Sequence, residues 1–455
     1  MNCLSGWSVM SHTVVSRSLA LLLCGIAQLG AMPLRAAEIG PTDDLRAAIA
    51  ALGPGGELVL RGGTYTVSSG FRITVNGTQA QPAVIRAKAG ERPLIQQTNA
   101  GQNILEISGS RYLVLRGVAF TGGSHGIRLM DSDDITIEDC EVYETGDVAI
   151  SANSGGTYER LRLLRNHVHH TNGTGEGMYL GCNSDACRVA NSLIEGNYIH
   201  HTNRPGVEQG DGIELKEGSY GNVIRDNVIH DTNYPGIITY STVGNGPANV
   251  LEGNVIWNTN DNAIQSAADT IIRNNIVLGS PISLQSHQAG SPSNIQVVHN
   301  TVVANGDGIN VRNVVGSVIV ANNAVYAQGG TAIRLISGNT SLVTVAGNVG
   351  SGGLSGASSG YVDGAGIAAD FVNGHFNGAP PIDLFPKPGS ALIGAAAGAH
   401  ATATDFNGTS RAGSSDAGAY RFNANGNPGW RIVAGFKTTS GIVAPPMPPT
   451  NVRVE

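Results

Sequence analysis

Eight segments of this 455-residue chain reach a small polar residue in the same local setting: Cys140, Asn166, Asn197, Asn227, Asn254, Asn275, Asn300 and Asn323, with Asn348 as a ninth. The contexts Asn166-His167-Val168-His169, Asn197-Tyr198-Ile199-His200, Asn227-Val228-Ile229-His230 and Asn254-Val255-Ile256-Trp257 are close copies. Successive members lie 21 to 31 residues apart. A period of that length means stacked supersecondary units that share one continuous core. Asn suits such a turn because it tolerates left-handed backbone and its amide both donates and accepts. An inward Asn column, each member bonded to the next coil, would satisfy turn backbone otherwise buried without partners.

The segments between these residues begin small-apolar: Gly126-Ile127-Arg128-Leu129, Gly177-Met178-Tyr179-Leu180, Gly212-Ile213-Glu214-Leu215, Gly236-Ile237-Ile238-Thr239. Alternation turns Ile213 and Leu215 inward and Glu214 outward. A second strand leads into each Asn and a third follows it. Three short strands per coil that never return as hairpins predict an all-β parallel β-helix, a solenoid with an inward Asn ladder. Near the start, Pro41 to Leu52 carries apolar residues at helical spacing, with Thr42 or Asp43 as the expected cap. That helix would plug the open end of the solenoid.

Arg17 followed by the apolar run Ser18–Ala27, with small residues at Ala36 and Ala37, reads as a signal peptide over residues 1–37, so an exported protein is expected, periplasmic or extracellular. No segment is long enough for a membrane span. The coils are expected over 38–350, a closing segment over 351–435 and a Pro-rich tail over 436–455, in a monomer. The net charge of −7 argues against a nucleic-acid partner, and an acidic polymer substrate would need local positive charge from Lys, Arg or a bound cation. Cys182 and Cys187 bracket a short loop and, in an exported protein, could close as a disulfide or remain two thiols. Cys140 fills a ladder position and reads as an inert buried thiol.

The cap helix, the coil pattern and the ladder resemble the right-handed parallel β-helix proteins of the pectate-lyase-like superfamily, over roughly residues 40 to 350. The resemblance implies that fold; relatives on it include lyases, hydrolases, epimerases and adhesins. Asp405-Phe406-Asn407-Gly408 and Asp416-Ala417-Gly418-Ala419-Tyr420 are similar to a closing segment of secreted bacterial β-helices.

Stacking the first strands gives two outward columns. One runs Arg128, Ser151, Tyr179, Glu214, Ile238, Gln265 and the other Met130, Asn153, Gly181, Lys216, Tyr240, Ala267, with Glu176 and Asp211 at the preceding turn. Coils ~4.8 Å apart bring Glu176, Tyr179, Asp211, Glu214, Lys216 and Tyr240 into one patch. The loops Gly181–Cys187 and Asn203–Gly210 belong to the longest coils and would wall it. Oxygen ligands from Glu176, Asp211 and Glu214 could hold Ca2+. Lys216 would then act as base on a uronate polymer, removing the proton beside the sugar carboxylate, and Tyr240, or Tyr179 in its place, would protonate the leaving oxygen. Glu214 beside Lys216 favours the charged ammonium unless a cation engages the carboxylate, so this reading requires the metal. The stretch Asp211-Gly212-Ile213-Glu214-Leu215-Lys216 also looks like the base-and-acid arrangement of calcium-dependent pectate and alginate/chondroitin lyases. The latter group's assisting His-flanked Arg is missing from Gly236–Ser241.

The leading expectation is a polysaccharide lyase cleaving an acidic glycan by calcium-assisted β-elimination. The alternatives are a glycoside hydrolase using two of the same carboxylates, a uronate epimerase, and a non-catalytic carbohydrate-binding surface protein. A further column, His169, His200 and His230 with His170 and His201 adjacent, has a spacing that could suit a transition metal. A repeat-driven surface column continued by Trp257 is the preferred reading there. Glu138, Glu195, Arg225, Glu252 and Arg273 read as a mixed-sign surface column.

Overall fold

The computed structural model describes residues 36–438. The expected signal peptide and the Pro-rich tail fall almost wholly outside them. Among the described residues three parallel sheets of 13, 12 and 13 strands run the length of the stack, each coil giving one strand to each. This is the right-handed parallel β-helix, and stacking continues through the strand Tyr361–Asp363.

Alternation produces it. In the first sheet Ile127, Ile150, Met178, Ile213, Ile237 and Ile264 stack in register with 0% exposure, filling the bore. Their outward neighbours Arg128, Ser151, Tyr179, Glu214, Ile238 and Gln265 form the expected column. From Asn197 to Asn348 each ladder Asn meets all its hydrogen-bonding capacity. Asn227 Oδ1 accepts from Asn197 N at 2.9 Å and Asn197 Nδ2 at 2.9 Å, while Asn227 Nδ2 donates to Ile194 O at 3.0 Å and Asn254 Oδ1 at 2.9 Å. The pattern runs from Asn166 to Asn348. At its start Cys140 N donates to Asn166 Oδ1, and burial pushes the Cys140 thiol up to about 12.

A second, shorter ladder lies five residues upstream. Ser192 N donates to Asn222 Oδ1 at 3.0 Å and Asn222 N to Asn249 Oδ1 at 3.1 Å. Its signal in the sequence was a small polar residue at that fixed offset, but only some coils carry it.

The helix Leu45–Ala50 buries Leu45 and Ile49 against the first coils. Its cap is Asp44, which accepts from Ala47 N, rather than Thr42 or Asp43; Asp43 is engaged instead by Gly40 N. On the second sheet Arg225 pairs with Glu195 at 2.8 Å and Arg273 with Glu252 at 2.6 Å, so the mixed-sign column is a run of ion pairs. Cys182 and Cys187 form a disulfide.

Beyond the coils the chain turns back along the outer face of the third sheet. Phe371, Leu384, Phe385, Leu392, Phe406 and Tyr420 pack there on Tyr198, Val228, Val255, Trp257, Ile276 and Leu278 as a second apolar core. Buried polar anchors fix it: Lys437 Nζ donates to Asp226 Oδ1 at 2.6 Å and Gly253 O at 2.9 Å, and Tyr326 Oη to Asp370 Oδ2 at 2.6 Å. The His200, His230 and Trp257 column is therefore outward, as expected, yet covered: these residues are 9%, 6% and 5% exposed.

Candidate active site

The first sheet sets Met178-Tyr179-Leu180 beside Ile213-Glu214-Leu215, and the latter beside Ile237-Ile238-Thr239. With Leu180 and Leu215 committed to the bore, Tyr179 and Glu214 must leave on the outer side. Lys216 and Tyr240, one position beyond their strands, leave on that side too. Lys216 Nζ donates to Glu214 Oε1 at 2.7 Å and lies 3.3 Å from Tyr240 Oη, which itself donates to Glu214 Oε1 at 2.8 Å. Lys216 Nζ sits 5.0 Å from the Tyr179 ring centroid and 4.5 Å from that of Tyr240. Gly181, at φ 98°, leaves the space Lys216 fills: a Cβ there would come within 3.0 Å of the Lys216 Cβ.

Glu176 and Asp211 arrive from the turns that precede these strands. One carboxylate oxygen from each of Glu176, Asp211 and Glu214 lies within 4.8 Å of the others. Thr174 Oγ1 is 2.6 Å from Glu176 Oε2 and 2.6 Å from Asp147 Oδ1, which adds a fourth acid at the rim. Burial, then the charges of Glu214 and Glu176, pushes the Asp211 carboxyl well above the usual carboxylate range; burial raises Glu176 as well. Asp211 Oδ1 and Glu214 Oε2 are buried with no hydrogen-bond partner.

Such a set fits a hard cation. Two oxygens on one Ca2+ lie at most ~5.2 Å apart, twice the longest usual Ca–O distance of ~2.6 Å, and the spread here is smaller. The division within Glu214 also fits: Oε1 serves Lys216 and Tyr240, and Oε2 is free. Carboxylates this close leave no room for the water that an inverting hydrolase admits across a bond, for which ~6.5–9.5 Å is usual.

All six predicted residues thus come together, but not on an open surface. Lys216 is 5% exposed, Glu214 2%, Tyr240 4% and Asp211 2%. The cover is residues 285–291, which link the strands Ile282–Leu284 and Ile295–Val298 and fold back across earlier coils. His287 stacks on Tyr240 at 4.9 Å between centroids, Ala289 N donates to Glu217 Oε1 at 3.1 Å, and Gln288 Nε2 donates to Asn183 Oδ1 at 3.0 Å in the disulfide loop. Gly290 allows the approach, since a Cβ there would lie 2.8 Å from the Ala267 Cβ. The Asn203–Gly210 loop closes the other flank through Gln209 N and Gly210 N, both donating to Thr174 O.

Asp147, Thr174, Glu217 and His287 were missed from sequence. Asp147 lies one position, and Thr174 two positions, ahead of the register that Glu176 keeps. Nothing periodic announces Glu217 or His287.

Burial, reinforced by Glu214, holds the Tyr240 hydroxyl well above its ordinary range, and Tyr179 follows for the same reasons. Both phenols keep their protons at neutral pH and can donate them.

Residues 35–233 match a family model described as the Pel9A-like, right handed beta helix region. The sequence is 28% identical over 200 residues to pectate lyase PEL9 of Emericella nidulans, covering 41% of each chain. It is 28% identical over 286 residues to pectate lyase L of Paenibacillus polymyxa, covering 58% of this chain and 59% of the relative. The chain thus spans about half the length of the curated relatives it matches. The crystal structure of pectate lyase Pel9A superposes with a TM-score of 0.52 at 15% identity, covering 85% of this chain and 96% of that one, which shows the shared fold. No helix among the described residues is long and apolar enough to cross a membrane.

Proposed function

We propose that this pectate-lyase-like β-helix is an exported polysaccharide lyase that cleaves a uronate-containing glycan by calcium-assisted β-elimination. The observation that carries the reading is the convergence of Lys216 and Tyr240 on one oxygen of Glu214, whose other oxygen, with Asp211 Oδ1, is buried and unpartnered. Glu176, Asp211 and Glu214 would hold Ca2+, which when bound neutralises the sugar carboxylate and acidifies the neighbouring C–H. Lys216 Nζ takes that proton, and the C–H electrons become the new C=C bond as the glycosidic C–O bond breaks. Tyr240 Oη gives its proton to the leaving oxygen, with Tyr179 as the second phenol within reach of the amine. Apolar cover and the strap of residues 285–291 keep water from the carbanionic centre. The curated pectate lyase relatives support the same class of chemistry.

The test is absorbance of unsaturated product from pectate, alginate and glycosaminoglycans, with and without chelator. Calcium-dependent absorbance is expected on one of them. Lys216→Ala should lower it at least ~10³-fold, within the usual span of acid–base contributions, with an unchanged circular dichroism spectrum. Reducing ends without absorbance would establish the hydrolase instead, and inverted sugars without cleavage the epimerase. Full activity in Lys216→Ala would overturn the base assignment.

A further inference from the structure

On the third sheet, remote from Lys216 in the coil cross-section, six histidines and two acids share one cluster. His169, His200 and His230 stack face to face, with centroids 5.1 Å apart and interplanar angles of 3° and 5°. The residue after each is in the left-handed region: His170 at φ 57°, His201 at 54° and Asp231 at 54°. That backbone turn brings two successive side chains to the same side, where a regular strand would separate them. As a result His169 Nδ1 is 2.7 Å from His170 Nδ1, His200 Nδ1 2.6 Å from His201 Nδ1, and His230 Nδ1 2.6 Å from Asp231 Oδ2. His201 Nδ1 is 3.8 Å from Asp231 Oδ2, so the upper two pairs face one another.

We propose that His201, His230 and Asp231 form a binding site for a late first-row divalent ion, with Zn2+ as the ion the donor set suits best. Two imidazole nitrogens and one carboxylate oxygen are borderline ligands of the kind Zn2+ takes, with a fourth position left to water. One ligand atom from each lies within 4.8 Å of the others, with His230 Nδ1 2.6 Å and His201 Nδ1 3.8 Å from Asp231 Oδ2, around the roughly 3.3 Å that ligands ~2.0–2.1 Å from a tetrahedral ion keep. Burial lowers His230 below the usual histidine range, so that ring is neutral and free to ligate.

The surroundings support this. His200 and His230 are 9% and 6% exposed, fixed between the C-terminal segment and the coil wall. The His201 side chain remains 44% exposed and gives an ion its route in. Tyr198 Oη, 2.9 Å from His230 Nε2, orients that ring as an outer partner commonly does for a metal-bound imidazole. A second grouping one coil below, Glu141 with His167 and His169, is less suited, because Arg92 pairs with Glu141 and repels a cation. The site spans two coils and would staple them beneath the C-terminal segment.

The experiment uses the full chain without a polyhistidine tag, stripped with chelator and dialysed against Zn2+, with bound metal measured by atomic emission. One equivalent is expected at micromolar free Zn2+, resistant to millimolar Ca2+. Substitution by Co2+ should give the visible absorption of a tetrahedral nitrogen–oxygen site. His201→Ala and Asp231→Asn, both partly exposed and outside the bore, should each weaken Zn2+ binding at least tenfold. Glu214→Gln should leave it unchanged. Less than half an equivalent bound, binding undiminished in both variants, or loss of binding in Glu214→Gln would each overturn the proposal.

Discussion

Replacing Asn227 by Ala removes one rung of the ladder, and the structure allows the loss to be worked out. Four hydrogen bonds disappear. Three of the groups left behind have another partner: Asn197 Nδ2 still donates to Leu163 O, Asn254 Oδ1 still accepts from Asn227 N, and Ile194 lies in the paired second sheet. The Asn197 N–H has none. An orphaned buried donor costs about 1–3 kcal/mol, and each of three other bonds contributes about 0.5–1.5 kcal/mol net. The sum is roughly 3–7 kcal/mol, a large share of the ~5–15 kcal/mol that holds a typical domain folded. Urea unfolding followed by circular dichroism should show it as a lower midpoint. Asn260→Ala, on the exposed side of a turn, should stay within ~0.5 kcal/mol of the parent. A loss below ~1 kcal/mol for Asn227→Ala would refute the reasoning, because it would mean water or relaxed backbone satisfies the Asn197 amide.

Calcium at a hundredfold excess over its dissociation constant should stabilise the parent by ~2.7 kcal/mol, read as a higher melting temperature. In Asp211→Asn the calcium effect should vanish, while the chelated variant melts at or above the chelated parent because an unpartnered buried carboxylate is gone; an equal calcium shift in both proteins would remove Asp211 from the ligand set. His299 is buried where Asn322 and Arg411 of the C-terminal segment meet the coils, and burial, then the Arg411 charge, lowers it to about 3 from 6.5. Its folded value is depressed, so the unfolded chain binds more protons between those limits; stability is whole above pH 6.5 and is lost as pH falls toward 3. At pH 5 the loss is on the order of 2 kcal/mol, taking 1.36 kcal/mol per unit. Thermal melts at pH 7 and pH 5 should show His299→Gln losing less than the parent, and equal losses would contradict this assignment.

The coil architecture was legible because it is written once per turn of chain. One Asn per coil and one inward Ile per first strand leave no freedom of register, so the convergence of Lys216, Glu214, Tyr179 and Tyr240 could be read by counting. What could not be counted was the cover. The strap at 285–291 reaches the site from two coils further on, through a loop that shares no period with what it touches. The same holds for the C-terminal segment, which hides a histidine column that alternation alone places in solvent. Asp147 and Thr174 were overlooked because turns slip by a residue where strands do not. The second ladder went unseen because Ile135, Leu161, Ile295, Val318 and Val343 occupy its position in five coils, which breaks the pattern a reader would need.

The bonds from one ladder Asn to the next all run the same way, each Nδ2 donating to the Oδ1 of the higher-numbered coil, so the column has a head and a tail, like a polymer of identical links. Whole turns can be spliced in or out of such a chain, and the joints on either side find the same chemistry waiting. A fractional turn would set donor against donor. The length of this molecule is therefore a number its lineage can change in steps of one coil, and the distance between the Lys216 cluster and either end changes with it.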